Sequence, residues 1–489
     1  MQVEASGKKL SATDLARVTR VEVESNIHLP DTATIEFLDS DYALIEDRAW
    51  VIGKPLKVLM GDSDEMAAIF EGEITSVEVS YDALGLGGVT IRGYDKSHRL
   101  HRGRKSEVFL KETDSAIVTD VARSAGLSTK ITRTTAKHEY VLQDNQTDWE
   151  FITERARRNG MDLWVSEGKL HMAPPTDSGS PIELRMGEQL RSLNARLSAA
   201  GQAAKVTVLG WDYVKKEKIV GKASGNDAKF LPQIGATKKP GAIADSAFGK
   251  ASVAISSQNI RLNGEATALA KAALNDIAGD AIFAEGVMRG DARLRAGVRV
   301  KIDGAGRTFN GTYLLTEVRH IYDEAVYRQE FVAAGRHSTD LLSLVAPPPA
   351  HPVPQIRTAI VTDNNDPNKL GRVKVMFPTM AERLDSDWCR LLTTGAGPEA
   401  GLFWIPEVGD EVLVIGTDMD QLFVLGSLWN GKDQPPLSPN KPGDGEADSE
   451  VQVTSRTIRS RSGHLIELRD AEGSERILIR DKSEKNFIV

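Results

Sequence analysis

The sequence predicts a mainly β protein of the α+β class, and three observations predict it. Short apolar runs with period-two alternation recur along most of the chain, which is the signature of strands. Only three stretches carry helical spacing, two of them between a polar cap and a glycine or asparagine stop. Two proline-rich breaks, 346–354 (APPPAHPVP) and 432–450, divide the 489 residues into a large first part, a compact middle and a short tail. Five prolines in nine residues make 346–354 a stiff spacer, since proline fits neither a helix interior nor a central strand. A weaker break lies at 173–181.

In residues 1–345 the strand-like runs are 33–38, 56–60, 70–79, 89–93, 296–302, 311–320 and 327–333. The first helix starts at Thr113-Asp114, turns Ile117, Val118 and Val121 to one side and closes at Gly126. The second starts at Thr147-Asp148, carries Phe151, Ile152 and Arg155, and ends at Asn159-Gly160. The third covers 265–278. Two barrels or sheets with helical insertions are expected. Residues 355–431 hold five strand candidates, 356–361, 372–377, 388–393, 411–415 and 422–428, which suit a small barrel of the OB type. Trp388 and Phe423 are read as its core, with Cys389 as a small buried residue.

The tail, 451–489, is repetitive. Leu465-Ile466-Glu467-Leu468-Arg469-Asp470 returns twelve residues later as Ile477-Leu478-Ile479-Arg480-Asp481-Lys482, and 486–489 begins a third copy. Strands this short cannot bury a face alone. A homotrimer that interleaves three chains would supply the missing walls and pair the open edges. Ile466, Leu468, Ile477 and Ile479 are the candidates for its core.

Composition excludes several classes. The chain is 40% hydrophobic and 27% charged, which fits neither a disordered chain nor a multispanning membrane protein. Net charge is −8 and the sequence pI is about 5.7. The OB-type segment from Ile356 to Lys432 has 7 Lys/Arg against 11 Asp/Glu, a net −4, so no nucleic-acid partner is expected. The single cysteine, Cys389, forms no internal disulfide and cannot make a cysteine zinc site. The N-terminus lacks a secretory signal, so synthesis and folding in the cytosol are expected.

No catalytic, cofactor or metal site is expected. His98 and His101 sit among five Lys/Arg between Lys96 and Lys105, which disfavours a cation, and they are read as a polar turn or subunit contact. Asp363-Asn364-Asn365-Asp366 lacks the glycine and glutamate of a calcium loop and is read as a turn. Phosphate-loop and nucleophile-elbow motifs are missing.

Several segments, specific in combination, resemble one family. They are 93–105 (GYDKSHRLHRGRK), 146–160 (QTDWEFITERARRNG), 294–303 with 309–318, 369–378 (KLGRVKVMFP), 404–415 (WIPEVGDEVLVI) and 425–431 (LGSLWNG). Together they are similar to VgrG-type spike proteins of contractile injection systems, whose halves look like phage tail hub and spike proteins. The resemblance implies a hub of two related barrels, an OB-fold domain and an intertwined triple-stranded β-helix needle in a homotrimer. It implies a non-enzymatic part that matches a sixfold tube to a threefold, membrane-piercing needle. The implied partners are the inner tube protein, baseplate proteins, a PAAR-type tip protein and, transiently, a target membrane. Phe487, Ile488 and Val489 would dock the tip. The 432–450 spacer is too short to hold the lysozyme domain of one phage relative, so no cell-wall hydrolysis is expected. A released, extracellular phage-tail-like particle suits the short chain; a type VI secretion system, a contractile phage tail or a tailocin is the near alternative, and an OB-type binding protein the distant one.

Overall fold

The computed structural model describes residues 1–27, 29–46, 50–61, 66–81, 87–166, 168–174, 180–225, 227, 232–235, 239–256, 260–335, 354–380, 384–416, 421–436 and 454–489. Most of the spacers at 346–354 and 432–450, and the first residues of the 451–489 tail, lie outside the described residues. The chain forms two compact units, one of Met1–Val353 and one of Pro354–Thr417 with Leu422–Val489, apart from a few residues near 420.

The first unit is built on one 11-stranded sheet. Its order is Leu190–Leu197, Ile282–Arg289, Val326–Ala333, Glu317–Asp323, Val18–Asn26, Thr32–Leu38, Gly87–Tyr94, Ala67–Tyr81, Pro55–Met60, Gln2–Ala5, Lys8–Lys9. Period-two patterning explains which face is buried. Val21 and Val23 turn inward with Ile35 and Ile91, while Glu22 and Glu24 turn out. Two cores lie along this sheet, the second shared with a four-stranded sheet of Ile182–Arg185, Arg299–Asp303, Gly311–Leu314 and Gln233–Ile234. One gathers Val3, Val23, Ile35, Phe37, Val58 and Ile91. The other gathers Leu184, Ile282, Val300, Tyr313, Val318 and Phe331. They are joined where Glu317–Asp323 pairs antiparallel with Val18–Asn26, from Glu317 opposite Asn26 to Asp323 opposite Arg20.

Two helical modules interrupt the sheet. In the first, Asp114–Ser124 and Asp148–Arg158 start at Thr113 and Thr147, each of which accepts a backbone N–H in the first turn. Thr147 and Glu150 form a reciprocal capping box. Gly126 and Gly160 take positive φ just past the helix ends. Asp114 is buried and holds the helices together: Arg155 Nε donates to it at 2.5 Å, Asn159 Nδ2 at 2.7 Å, and His138 Nε2 lies at 3.1 Å. Burial alone would raise this carboxyl, but His138, Arg155 and Asn159 bring it down to about 2. In the second module, helix Asn263–Gly279 lies on a sheet of Glu217–Ser224, Lys205–Asp212 and Ser252–Ser256. Gly221 makes that approach possible, because a Cβ there would stand 2.1 Å from the Ala266 carbonyl carbon. A further helix, Pro240–Phe248, was not expected from the sequence; Pro240 at its first turn was the available signal.

The second unit begins with a five-stranded sheet in the order Lys374–Met376, Gln355–Asp363, Glu411–Gly416, Phe423–Ser427, Arg390–Leu391. Bridges between Val373 and Cys389 and between Met376 and Asp385 link its two edges. Ala359, Val361, Val375, Phe377, Cys389, Val412 and Val424 fill the interior. Two expectations are corrected here. Phe423 is not core: Leu422 and Val424 take the inward positions, and the half-buried Phe423 ring lies under Arg390 at 5.6 Å. Trp388 is not core: Cys389 takes the inward position, and alternation turns the half-buried Trp388 out under two cations, Arg372 at 5.7 Å and Lys374 at 5.4 Å from its ring.

The Asp363–Asp366 turn is organised by Asp366, which accepts from the backbone N–H of Asn368 (3.0 Å) and Leu370 (2.8 Å) and from Arg372 NH2 (2.7 Å). Burial opposes ionisation, but Arg372 and these N–H groups hold the carboxyl far below the usual carboxylate range.

Candidate functional site

The C-terminal strands Ser455–Arg459, Leu465–Arg469, Arg476–Arg480 and Phe487–Ile488 form one antiparallel meander. Within one chain they do not wind as rungs of a helix; each strand returns beside its predecessor. Gly463 and Gly473 supply positive φ in the intervening turns. Arg461, in the first turn, donates from Nε to Glu407 at 2.5 Å and from NH2 to Asp410 at 2.8 Å, fastening the meander to a loop of the five-stranded domain.

Register decides what each face carries. Ile458 stands opposite Ile466, Ile466 opposite Ile479, and Ile479 opposite Ile488, giving one row of four isoleucines across four strands. Leu468 and Ile477 pair in the next row, which ends at Arg456. All six apolar side chains share one face, and all are exposed, from 42% at Ile466 to 69% at Ile488. The opposite face carries Arg459, Arg469, Arg476 and Arg480, with Glu467 and Leu478 nearly buried between them.

The structure therefore brings Ile466, Leu468, Ile477 and Ile479 together and adds Ile458 and Ile488 to them. Ile458 was missed, although the Ile458-Arg459-Ser460 sequence parallels Leu468-Arg469-Asp470 and Ile479-Arg480-Asp481. The expected tip residues do not form one patch. Ile488 continues the isoleucine row, whereas Phe487 faces the other way beside Arg480. Val489 is exposed at the last position.

The histidines of the first unit are occupied otherwise. His98 Nε2 lies 3.2 Å from Glu73, and the His101 ring stacks on Trp149 at 5.1 Å. Asp95 caps the short helix that carries them, accepting from Ser97 N. Among the described residues, no group of three or more His, Cys, Asp or Glu is arranged to hold a metal ion. Nor, among them, is any helix long and apolar enough to cross a membrane.

Comparison with known proteins agrees with this architecture. Residues 1–324 match the family described as the Alg8 N-terminal domain. Residues 357–429 match the type VI secretion system/phage-baseplate injector OB domain. A curated relative, the type VI secretion system spike protein VgrG3 of Vibrio cholerae, is 22% identical over 80% of this chain, which spans 40% of that relative's length. Two solved structures share the fold. One is an Escherichia coli component of the type VI secretion system described as similar to the T4 tail proteins gp27 and gp5 (TM-score 0.50, 15% identity, 84% of this chain and 96% of that one). The other is the lidded Francisella PdpA–VgrG complex (TM-score 0.51, 9% identity, 97% of this chain and 79% of that one).

Proposed function

The chain belongs to the family of the Alg8 N-terminal domain, and on that premise we propose that it is the homotrimeric spike of a phage-tail-like contractile injection particle. The observation that carries the reading is the exposed isoleucine row. A sheet one layer thick with six apolar side chains on one face is unstable in water and needs a cover. Three copies that turn those faces toward a common axis cover one another. The needle so formed works by shape rather than catalysis, joining a sixfold tube and its baseplate to a threefold point. Phe487 and Val489, exposed at its end, are the surface for a PAAR-type tip protein. The name of the Vibrio relative favours a type VI secretion spike as the second reading.

Light scattering on the full chain tests this. Three chains of 53.2 kDa give about 160 kDa. The double variant Ile466→Asp, Ile479→Asp should fall to the single-chain mass while its far-ultraviolet spectrum stays unchanged. A wild-type chain that remains a single copy at micromolar concentration would sink the reading.

A further inference from the structure

We propose that the face opposite the isoleucine row binds the phosphate groups of an anionic lipid surface. Register places Arg469 directly opposite Arg476, and Arg480 opposite Leu465, which in turn faces Arg459. Like charges in direct cross-strand register are destabilising unless something neutralises them. The face offers little to do so. Glu467 serves Arg476 at 3.3 Å, and Glu484 serves Arg480 at 3.2 Å. Among the described residues, no carboxylate lies within ion-pair distance of Arg459 or Arg469, and the Arg469 Nε hydrogen is unsatisfied. Leu478 is nearly buried on this face, where Arg459 and Arg476 are exposed and Arg469 and Arg480 are half-buried.

Guanidinium is the side chain best matched to phosphate oxygens, because its fork presents paired N–H donors in one plane. A flat array of four such groups suits a surface that is itself an array of phosphates, which favours a bilayer over a single soluble anion. The inference rests on the spike reading, since it is the burial of the isoleucine face between copies that leaves the arginine face outermost. Three copies would then present the same face around the needle, and avidity would add to each weak contact.

The test is co-sedimentation of the full-length protein with vesicles. One set is phosphatidylcholine alone and the other about three parts phosphatidylcholine to one of phosphatidylglycerol, in low and moderate salt. Binding should require phosphatidylglycerol and weaken with salt. Arg469→Gln with Arg476→Gln should lower it by roughly tenfold or more, and Arg459→Gln with Arg480→Gln by a similar factor. A control variant neutralises Lys205, Lys218 and Lys222 on the separate sheet of the first unit and should bind as wild type. Equal binding to both vesicle sets, unchanged binding of both arginine variants, or a loss that follows the lysines instead would overturn the proposal. Mass measured in parallel separates the two ideas. A trimer that ignores the vesicles defeats only the lipid inference, whereas a single copy defeats the spike reading.

Discussion

Ile466 and Ile479 stand directly opposite one another on adjacent strands, side chains on the same face, and both are exposed to solvent. Ile458 and Ile488 extend the pair into a four-residue row. Neighbouring positions on the same strands point the other way, so the assembly surface can be tested face by face. If three copies cover this face as proposed, Ile458→Asp should weaken the assembly and shift its dissociation to higher protein concentration. Thr457→Asp, one residue away on the arginine face, should leave the mass at low concentration unchanged. Equal effects from the two would show that the face is not what matters.

The buried Asp366–Arg372 pair supports the loop that leads into the Lys374–Met376 strand. Asp366→Ala strands a buried guanidinium and the backbone N–H groups of Asn368, Leu370 and Arg372, which should cost about 3–5 kcal/mol. Trp388, stacked under Arg372, reports the change, so the fluorescence transition in urea should move to a markedly lower midpoint. A shift no larger than that of a surface substitution would contradict the role assigned to Asp366.

Gly221→Val should separate helix Asn263–Gly279 from its sheet, because the new side chain meets Ala266 backbone and not a flexible tip. The expected loss is about 1–3 kcal/mol. Faster amide exchange along that helix, with the Asp114–Ser124 helix unaffected, is the readout.

His320 gives a pH dependence. It is buried between Tyr327 Oη at 2.8 Å and the Leu294 carbonyl at 2.9 Å, and burial pushes it down to about 4 from the ordinary 6.5. The folded state thus takes up this proton less readily than the unfolded chain does. Its contribution is complete above about pH 6.5 and is lost as pH falls toward 4, by roughly 3 kcal/mol at most. Amide exchange in Glu317–Asp323 should accelerate over that interval, and His320→Gln should flatten the response.

Local chemistry made part of this legible in advance. Thr113 and Thr147 mark helix starts because their hydroxyls have no better use than the first-turn N–H groups. Val373, Val375 and Phe377 mark a buried strand face by alternation alone. The failures have a common cause, which is that side-chain direction and strand partnership are not local. Trp388 and Cys389 are both apolar, and only the bridge to Val373 decides which one turns inward. Phe487 and Ile488 look like one patch until pairing with Arg480 and Ile479 sends them to opposite faces. Val18–Asn26 alternates Val21 and Val23 with Glu22 and Glu24 but is not among the expected strands, and nothing in it names Glu317–Asp323 as its neighbour.

That last pairing also sets a schedule. Val18–Asn26 leaves the ribosome early, but the strand that covers its second edge follows about 290 residues later, or roughly 15–60 s at ordinary synthesis rates. For that interval the nascent chain carries a half-finished sheet with an open, hydrogen-bonding border, a hazard for pairing with a neighbour on the same messenger. Translation speed through residues 27–316, and chaperone occupancy over the same window, should therefore govern the yield of folded protein more strongly than the equilibrium stability of the finished molecule.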